Sequence, residues 1–133
     1  MAVQEPHDKE LVRPGTIWFA PADYHLLVEA DRTFAFCSDA PVHHSRPAID
    51  VLFESAADVY GDTLVAVVLT GASRDGAAGA AAVRHHGGLV AVQDPATADS
   101  ALMPTASIEQ ANPHCVGSLH DIAGFVRKAA GAE

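Results

Sequence analysis

The chain has 133 residues, of which 49% are hydrophobic, enough for one domain with an apolar core. Seventeen acidic residues against eight basic ones give a formal net charge of −9 at pH 7. Since no cluster of Lys and Arg occurs, nucleic acid and anionic membranes are poor candidate partners. The longest wholly apolar run, Leu64–Leu69, is too short to insert into a membrane, and the charged amino terminus does not resemble a signal peptide.

The two cysteines, Cys37 and Cys115, show neither metal-ligand spacing nor a disulfide framework. We interpret both as small core residues in a reducing compartment. The sequence therefore predicts a cytoplasmic protein.

The first half of the chain is predicted to contain a strand, a hairpin and a helix. Thr16–Ala20 has the β-branched and aromatic content of a strand, and residues 26–37 are typical of a hairpin. Asp39–Arg46 is predicted to be an irregular loop. A helix follows, with Pro47 in its first turn and Gly61 at its end. Its apolar side chains recur at three- and four-residue spacing: Ile49, Leu52, Phe53, Ala56, Ala57 and Tyr60.

A βαβ unit is predicted at the centre of the chain. Leu64–Leu69 is typical of a strand buried on both faces of a parallel sheet. Ala77–His86 consists of strong helix formers, and Gly87-Gly88 suits a left-handed helix end. A second apolar run, Leu89–Gln93, completes the unit.

Two loops are expected to share one edge of this sheet. In open α/β sheets, ligands bind beyond the carboxyl ends of the strands. The loop Gly71–Gly76 lies there, with Asp75 as its only carboxylate, and Asp94–Ala101 follows the next strand at the same edge. Chemistry is therefore expected at this rim, although an aspartate before glycine is also common as a turn or helix-capping residue.

The last third of the chain is predicted to hold two helices around a short strand. Pro104 can start a helix that runs to Ala111, and Cys115-Val116 is predicted to be the strand. Ser118 followed by Asp121 resembles a capping box. The final helix has an apolar stripe formed by Leu119, Ile122, Phe125 and Val126.

Taken together, these segments resemble one family, the catalytic domain of CheB, the protein-glutamate methylesterase of bacterial chemotaxis. They occur in the order and spacing of that family from about Val3 to Val126. The matching pieces are Pro14-Gly15, Ala20-Pro21, Tyr24–Glu29, Arg46–Phe53, Leu69–Gly71, Asp75–Gly79, Gln93 and Met103-Pro104.

The resemblance implies hydrolysis of glutamate methyl esters on chemoreceptors, and deamidation of certain glutamines there, by a Ser-His-Asp triad. It assigns the triad aspartate to Asp75. A triad aspartate fixes the tautomer of the histidine and stabilises the imidazolium. The resemblance also implies a substrate cleft whose rim includes Gly71, Ala72, Gly76 and Met103. The family has methionine at the position of Ala72 and glycine at that of Leu102, so substrate preference could differ.

The implied fold is a three-layer α/β domain, a mostly parallel, doubly wound sheet with a β-hairpin. In the family, the nucleophilic serine and the histidine lie upstream of the segment that Val3 begins to match. We therefore expect residues 1–133 to be a single partial domain, the carboxyl-terminal two-thirds of the catalytic domain, without its first βαβ portion and without a receiver domain. A chain with only the aspartate is expected to be inactive alone.

Few residues of the chain could substitute for the missing serine and histidine. Ser73 stands in a Gly-Ala-Ser sequence, but a nucleophile elbow needs glycine where Asp75 stands. Of the histidines, His25 matches a family position and is interpreted as structural or rim-facing. His43 and His44 flank a position where the family usually has histidine, and His85 and His86 end a helix. No metal site and no cofactor are expected, because no metal-binding motif occurs.

Three hypotheses follow. The first is that the chain is part of a CheB-type methylesterase. Its partners would be a methyl-accepting chemotaxis receptor and either the missing amino-terminal half or a second copy of the chain. The second is a degenerate, non-catalytic CheB-like binding module, to which Ala72, Leu102 and the polar segment 98–101 point. The third is an unrelated zinc or serine hydrolase.

Overall fold

The computed structural model describes residues 1–131, in which strands and helices follow one another in α/β order. The strands are β1 (Ala2–Gln4), β2 (Thr16–Trp18), β3 (His25–Val28), β4 (Phe34–Cys37), β5 (Val65–Val68), β6 (Leu89–Gln93) and β7 (Cys115–Gly117). The α-helices are α1 (Ile49–Tyr60), α2 (Ala77–His85), α3 (Leu102–Ala111) and α4 (Leu119–Ala129). Short 3-10 helices at Gly61–Thr63 and Pro95–Thr97 follow α1 and β6.

The predicted βαβ unit is confirmed as β5, α2 and β6 in a parallel sheet. Strand β5 was expected to be buried on both faces but lies at the edge of the sheet, where alternate residues are only partly buried. The strands are ordered β5-β6-β7, with β6 in the middle. The central strand is buried on both faces, since Val90, Ala91 and Val92 are fully inaccessible. Helix α2 packs against both α1 and α3, whereas α4 packs against the strands of the sheet. The fold is therefore the expected doubly wound α/β arrangement.

Two smaller sheets accompany the central one. Strands β3 and β4 form the predicted antiparallel hairpin, with Leu26 opposite Phe36. Strands β1 and β2 pair in parallel, with Val3 opposite Ile17. The three residues of β1 are too few to show a periodic pattern, which is why the sequence did not reveal this strand. Among residues 1–131, no helix is long and apolar enough to cross a membrane.

The apolar side chains form two neighbouring clusters. The first joins the central sheet to α1, α2 and α3 through Ala57, Ala66, Val68, Ala80, Val83, Val90, Val92 and Ala111. The second joins the hairpin to the other side of α1 through Leu26, Val28, Phe34 and Ala56. Helix α1 thus belongs to both clusters, and its position affects the hairpin as well as the sheet.

The first turn of α1 differs from the prediction. The helix begins at Ile49 rather than at Pro47, because Ala48 is extended (φ −105°, ψ 139°) and acts as the N-cap. Helix α3 likewise starts before the expected Pro104, at Leu102. Proline is tolerated there because the first N–H groups of a helix have no partner within it.

The loop before α1 contains a tight turn that the sequence did not predict. Val42 and Ser45 exchange two backbone hydrogen bonds of 3.0 and 2.9 Å. The two residues between them, His43 and His44, both have left-handed backbones, with φ of 48° and 65°. Such a two-residue turn usually takes glycine or asparagine, because other side chains are strained at positive φ.

A pair of glycine substitutions tests how closely α1 and α2 approach. A Cβ at Gly79 would lie 2.7 Å from Cβ of Phe53 and 3.0 Å from Cα of Asp50, whereas nothing lies within 4 Å of a Cβ at Gly124 in α4. We expect Gly79→Ala to lower the free energy of unfolding by roughly 1–3 kcal/mol. The matched Gly124→Ala should raise it by about 0.5–1 kcal/mol through helix propensity. Urea denaturation measures both, and two changes of equal sign would contradict this packing.

Helix α1 carries three carboxylates at four-residue spacing: Asp50, which is buried, and Glu54 and Asp58, which are exposed. Burial, and then the like charges of Asp50 and Asp58, raise the pKa of Glu54 above its ordinary value of 4.5. The folded state therefore favours the neutral acid. That contribution to stability is complete below the ordinary pKa and is lost as the pH rises through the raised pKa.

We expect Glu54→Gln to increase the Tm at pH 7 but to leave it almost unchanged at pH 3.5, where Glu54 is already neutral. Thermal unfolding followed by circular dichroism between pH 3.5 and 7 measures this difference. In 1 M NaCl the difference at pH 7 should narrow, because salt screens the repulsion from Asp50 and Asp58 but not the effect of burial. Equal Tm values for the two proteins at pH 7 would contradict the raised pKa.

Candidate functional site

Asp75 lies in the loop between β5 and α2, at the carboxyl end of the edge strand of the parallel sheet. Its side chain is buried, with only 3% of the residue exposed. Oδ2 accepts a hydrogen bond of 2.7 Å from the backbone N–H of Ile49, and Oδ1 accepts one of 2.9 Å from that of Asp50. These are the first two N–H groups of α1, whose N-cap residue has no side-chain acceptor. The positive end of the helix therefore stabilises the ionised carboxylate.

Asp50 caps the start of α2 in the same way. Its Oδ1 accepts hydrogen bonds from the N–H groups of Gly76 and Gly79, at 2.8 and 2.7 Å, and the residue is 4% exposed. Gly76 is the N-cap of α2 and has no side chain to cap the helix itself. Its φ of 103° suits glycine alone, and a Cβ would lie 3.3 Å from Cγ2 of Ile49.

Each helix is thus capped by a carboxylate that belongs to the start of the other. We call this arrangement the reciprocal cap: the carboxylates of Asp50 and Asp75 with the four N–H groups that they accept. Bonds of this kind, to a charged acceptor, are stronger than neutral ones. The reciprocal cap fixes the loop of Asp75 against the start of α1.

One oxygen of the reciprocal cap faces outward. Oδ2 of Asp50 accepts none of these N–H bonds and lies 3.8 Å from Nε2 of His43, in the tight turn before α1. The His43 side chain is 45% exposed, so it forms the solvent side of the site. This histidine is the member of the His43-His44 pair that the structure brings to the site.

The predicted rim residues fall into two groups. Gly71 and Met103 touch: the Met103 N–H donates to the Gly71 carbonyl at 3.0 Å, and a Cβ on Gly71 would overlap the Met103 side chain. Ala72 is exposed beside them. Gly76 belongs instead to the reciprocal cap with Asp75. Glycine at position 71 lets the Met103 side chain at the start of α3 pack directly on the loop.

The two loops of the rim are held together by polar contacts. Gln93, at the end of β6, is 5% exposed. Its Oε1 accepts the N–H of Thr70 at 2.9 Å, and its Nε2 donates to the carbonyl of Thr97 at 3.2 Å. The Thr70 hydroxyl also accepts the N–H of Ser100 at 2.8 Å and donates to its carbonyl at 3.2 Å. The rim is therefore a connected structure rather than two independent loops.

The other candidates named from sequence have local roles. His25 is buried; its Nε2–H donates to the Ala40 carbonyl at 2.9 Å, and its Nδ1 accepts the Ala48 N–H at 3.2 Å. Ser73 Oγ accepts the N–H of Asp75 at 3.1 Å within the loop. His85 and His86 lie at the far end of α2, roughly 13 Å along its axis from the start of the helix.

Metal binding receives no geometric support from residues 1–131. Within that range, no three His, Cys, Asp or Glu side chains come together as a metal site would require.

Sequence reasoning did not find the role of Asp50. The residue stands in the first turn of a predicted helix, where an acidic side chain is common for helix-dipole reasons alone. Its acceptor bonds reach residues 26 and 29 positions away. No local spacing encodes such a contact. The available signal was that the residue lies in Arg46–Phe53, one of the segments that resemble the family.

Comparison with known proteins identifies the family and the fold. The CheB methylesterase family model matches residues 1–126. The crystal structure of the Thermotoga maritima CheB methylesterase catalytic domain superposes with a TM-score of 0.88 at 32% identity, covering 93% of this chain and 67% of that one.

Two curated relatives extend the comparison. A putative protein-glutamate methylesterase/protein-glutamine glutaminase of Leptospira interrogans (strain Fiocruz L1-130) is 49% identical over 126 residues, covering 94% of this chain and 65% of that protein. The protein-glutamate methylesterase/protein-glutamine glutaminase of Symbiobacterium thermophilum is 38% identical over 131 residues, 98% of this chain and 36% of that protein. The chain thus spans less than two thirds of either relative. By the family match, the identities and the shared fold, the chain belongs to the CheB methylesterase family.

Proposed function

We propose that this chain is the aspartate-bearing part of a protein-glutamate methylesterase and glutaminase that acts on chemoreceptors in the cytoplasm. Asp75 is the triad aspartate, and the serine and histidine belong to a segment outside residues 1–133. The observation that carries the proposal is the buried Asp75 carboxylate, held by two backbone N–H groups at the carboxyl end of a parallel strand.

The chemistry assigns one task to each triad group. The serine attacks the ester or amide carbonyl, the histidine takes the proton of the serine hydroxyl, and Asp75 holds the histidine in the required tautomer. A carboxylate has about four lone-pair positions, and the N–H groups of Ile49 and Asp50 use two of them. Capacity therefore remains on Asp75 for an imidazole N–H.

Two local candidates for the other triad groups, His25 and Ser73, are engaged elsewhere in the fold. Both ring nitrogens of His25 already have backbone partners, and Ser73 Oγ serves the loop of Asp75. These contacts support the assignment of the serine and the histidine to another segment. The chain alone would then hydrolyse no ester.

Exposed apolar surface supports the proposal that a further segment packs against this chain. Within residues 1–131, β5 pairs only with β6, so its second edge is open. On the β1–β2 pair, Val3, Ile17 and Phe19 are 59%, 46% and 58% exposed. An upstream segment of the same domain, or else a second copy of the chain, would cover such surfaces. The names of the two relatives, methylesterase and glutaminase, support the substrate class: glutamate methyl esters and glutamine side chains of a protein.

One observation favours a second function, a non-catalytic binding module. The Asp75 carboxylate caps α1, so a chain that has lost catalysis would still need this aspartate to fold. Leu102, where the family has glycine, is 44% exposed at the rim and alters its surface.

The test is methanol release from a methylated chemoreceptor by two proteins. One is this chain; the other is a hybrid in which the part of the Leptospira relative that precedes the matched region is joined to Met1. We expect release by the hybrid only. In the hybrid, Asp75→Asn should reduce kcat roughly 10³–10⁴-fold, as the loss of the correct histidine tautomer does in other triads.

The matched control is Asp121→Asn, which changes an aspartate in the capping box of α4 and should leave the rate unchanged. Methanol release by the unmodified chain alone would overturn the assignment of serine and histidine to another segment. A folded hybrid without activity would overturn the enzymatic proposal in favour of the binding module.

A further inference from the structure

We propose that Asp50 is a positioning residue for Asp75: its carboxylate, by holding the start of α2, determines where the Asp75 carboxylate stands. This inference rests on the proposed function for its catalytic meaning. Its geometric part concerns the chain alone and can be tested without any activity.

The first argument is the way in which the two carboxylates are linked. Asp75 immediately precedes Gly76, whose N–H donates to Asp50. The backbone N–H of Asp50 in turn donates to Asp75. Each carboxylate therefore accepts an N–H from the residue that bears the other, or from its direct neighbour. A shift of the Asp50 side chain moves Gly76, and with it the Cα that carries the Asp75 carboxylate.

The second argument is burial. Asp50 and Asp75 are 4% and 3% exposed, so solvent cannot readily replace either acceptor. A buried N–H that loses its acceptor bears the full cost of desolvation. Removal of the Asp50 carboxylate would leave the N–H groups of Gly76 and Gly79 without a partner, and the loop would have to move to hydrate them.

The third argument is the close fit between the two helices. A Cβ on Gly79 would lie 3.1 Å from Oδ1 and 3.0 Å from Cα of Asp50. The backbone of α2 can approach the Asp50 carboxylate only because residue 79 is glycine. The contact is thus built into the helix crossing and is not an incidental surface hydrogen bond.

Only one oxygen of Asp50 carries this function. Oδ1 accepts both N–H groups, while Oδ2 faces His43 at 3.8 Å. An asparagine can present the same single acceptor with its amide oxygen, whereas alanine cannot. The pair Asp50→Asn and Asp50→Ala therefore separates loss of the acceptor from loss of the charge.

Amide hydrogen exchange on this chain tests the geometric part. The informative amide is that of Ile49, which donates to Asp75 and not to Asp50. Relative to the core amide of Val92, we expect its exchange to be about tenfold faster in Asp50→Ala, the loss that one hydrogen bond of this kind predicts. Asp50→Asn should stay within about threefold of the unmodified chain.

Asp121→Ala is the matched control, because it removes an aspartate cap from α4 and should not change the exchange of Ile49. If Asp50→Ala does not fold, the reciprocal variant Asp75→Ala provides the same test through the amide of Gly79, which donates only to Asp50. Unchanged protection of Ile49 in Asp50→Ala, or of Gly79 in Asp75→Ala, would overturn the proposal.

Kinetics of the hybrid test the catalytic part. A positioning role predicts that Asp50→Ala lowers kcat at least about tenfold with KM little changed, and that Asp50→Asn restores most of the rate. A rise in KM with kcat unchanged, or equal losses of kcat in the alanine and asparagine variants, would overturn the positioning role. If the unmodified hybrid is inactive, the proposed function fails, whereas the exchange result still decides whether Asp50 positions Asp75.

Discussion

The structure depends on the exchange of caps between two helices. The first N–H groups of a helix have no acceptor within the helix. In most helices a side chain close in sequence accepts hydrogen bonds from them. Helix α4 follows that rule, since Ser118 and Asp121 form a capping box within four residues of chain. Helices α1 and α2 have Ala48 and Gly76 at their N-caps and obtain their acceptors from each other. This exchange holds α1 against the loop at the end of β5, and α1 in turn joins the hairpin to the sheet.

The same contact explains how a site can be rigid although it lies on loops. Asp75, Gly71, Ala72 and Gly76 all lie in the connection between β5 and α2, and connections are usually the more mobile parts of a fold. Here the loop of Asp75 is fixed to α1 by the reciprocal cap, and Gln93 fixes Thr70 to the neighbouring loop. Gly71 packs under Met103 at the start of α3. Preorganisation of this kind is what an electrostatic role for a carboxylate requires.

The fold was largely readable from sequence where the information is local. Strand Leu89–Gln93 is found with the predicted bounds because it is a continuous apolar run between glycines and a polar loop. The Ser118 capping box is confirmed because its partners are three residues apart. The predicted start of α1 was wrong by two residues, because the carboxylate that caps the helix comes from Asp75, 26 positions away from Ile49. The role of Asp50 was missed for the same reason: the sequence shows which residues are acidic but not which distant N–H groups they accept.

The reciprocal cap also bears on how this chain can change over generations. An aspartate that only served catalysis could be lost as soon as the reaction was no longer needed. Asp75 has a structural duty whatever its part in catalysis, because without it the first N–H groups of α1 have no acceptor. Positions 50 and 75 are therefore expected to be inherited together, and a descendant that performs no chemistry would still carry both. In this chain, the aspartate at position 75 is evidence for the helix crossing before it is evidence for an enzyme.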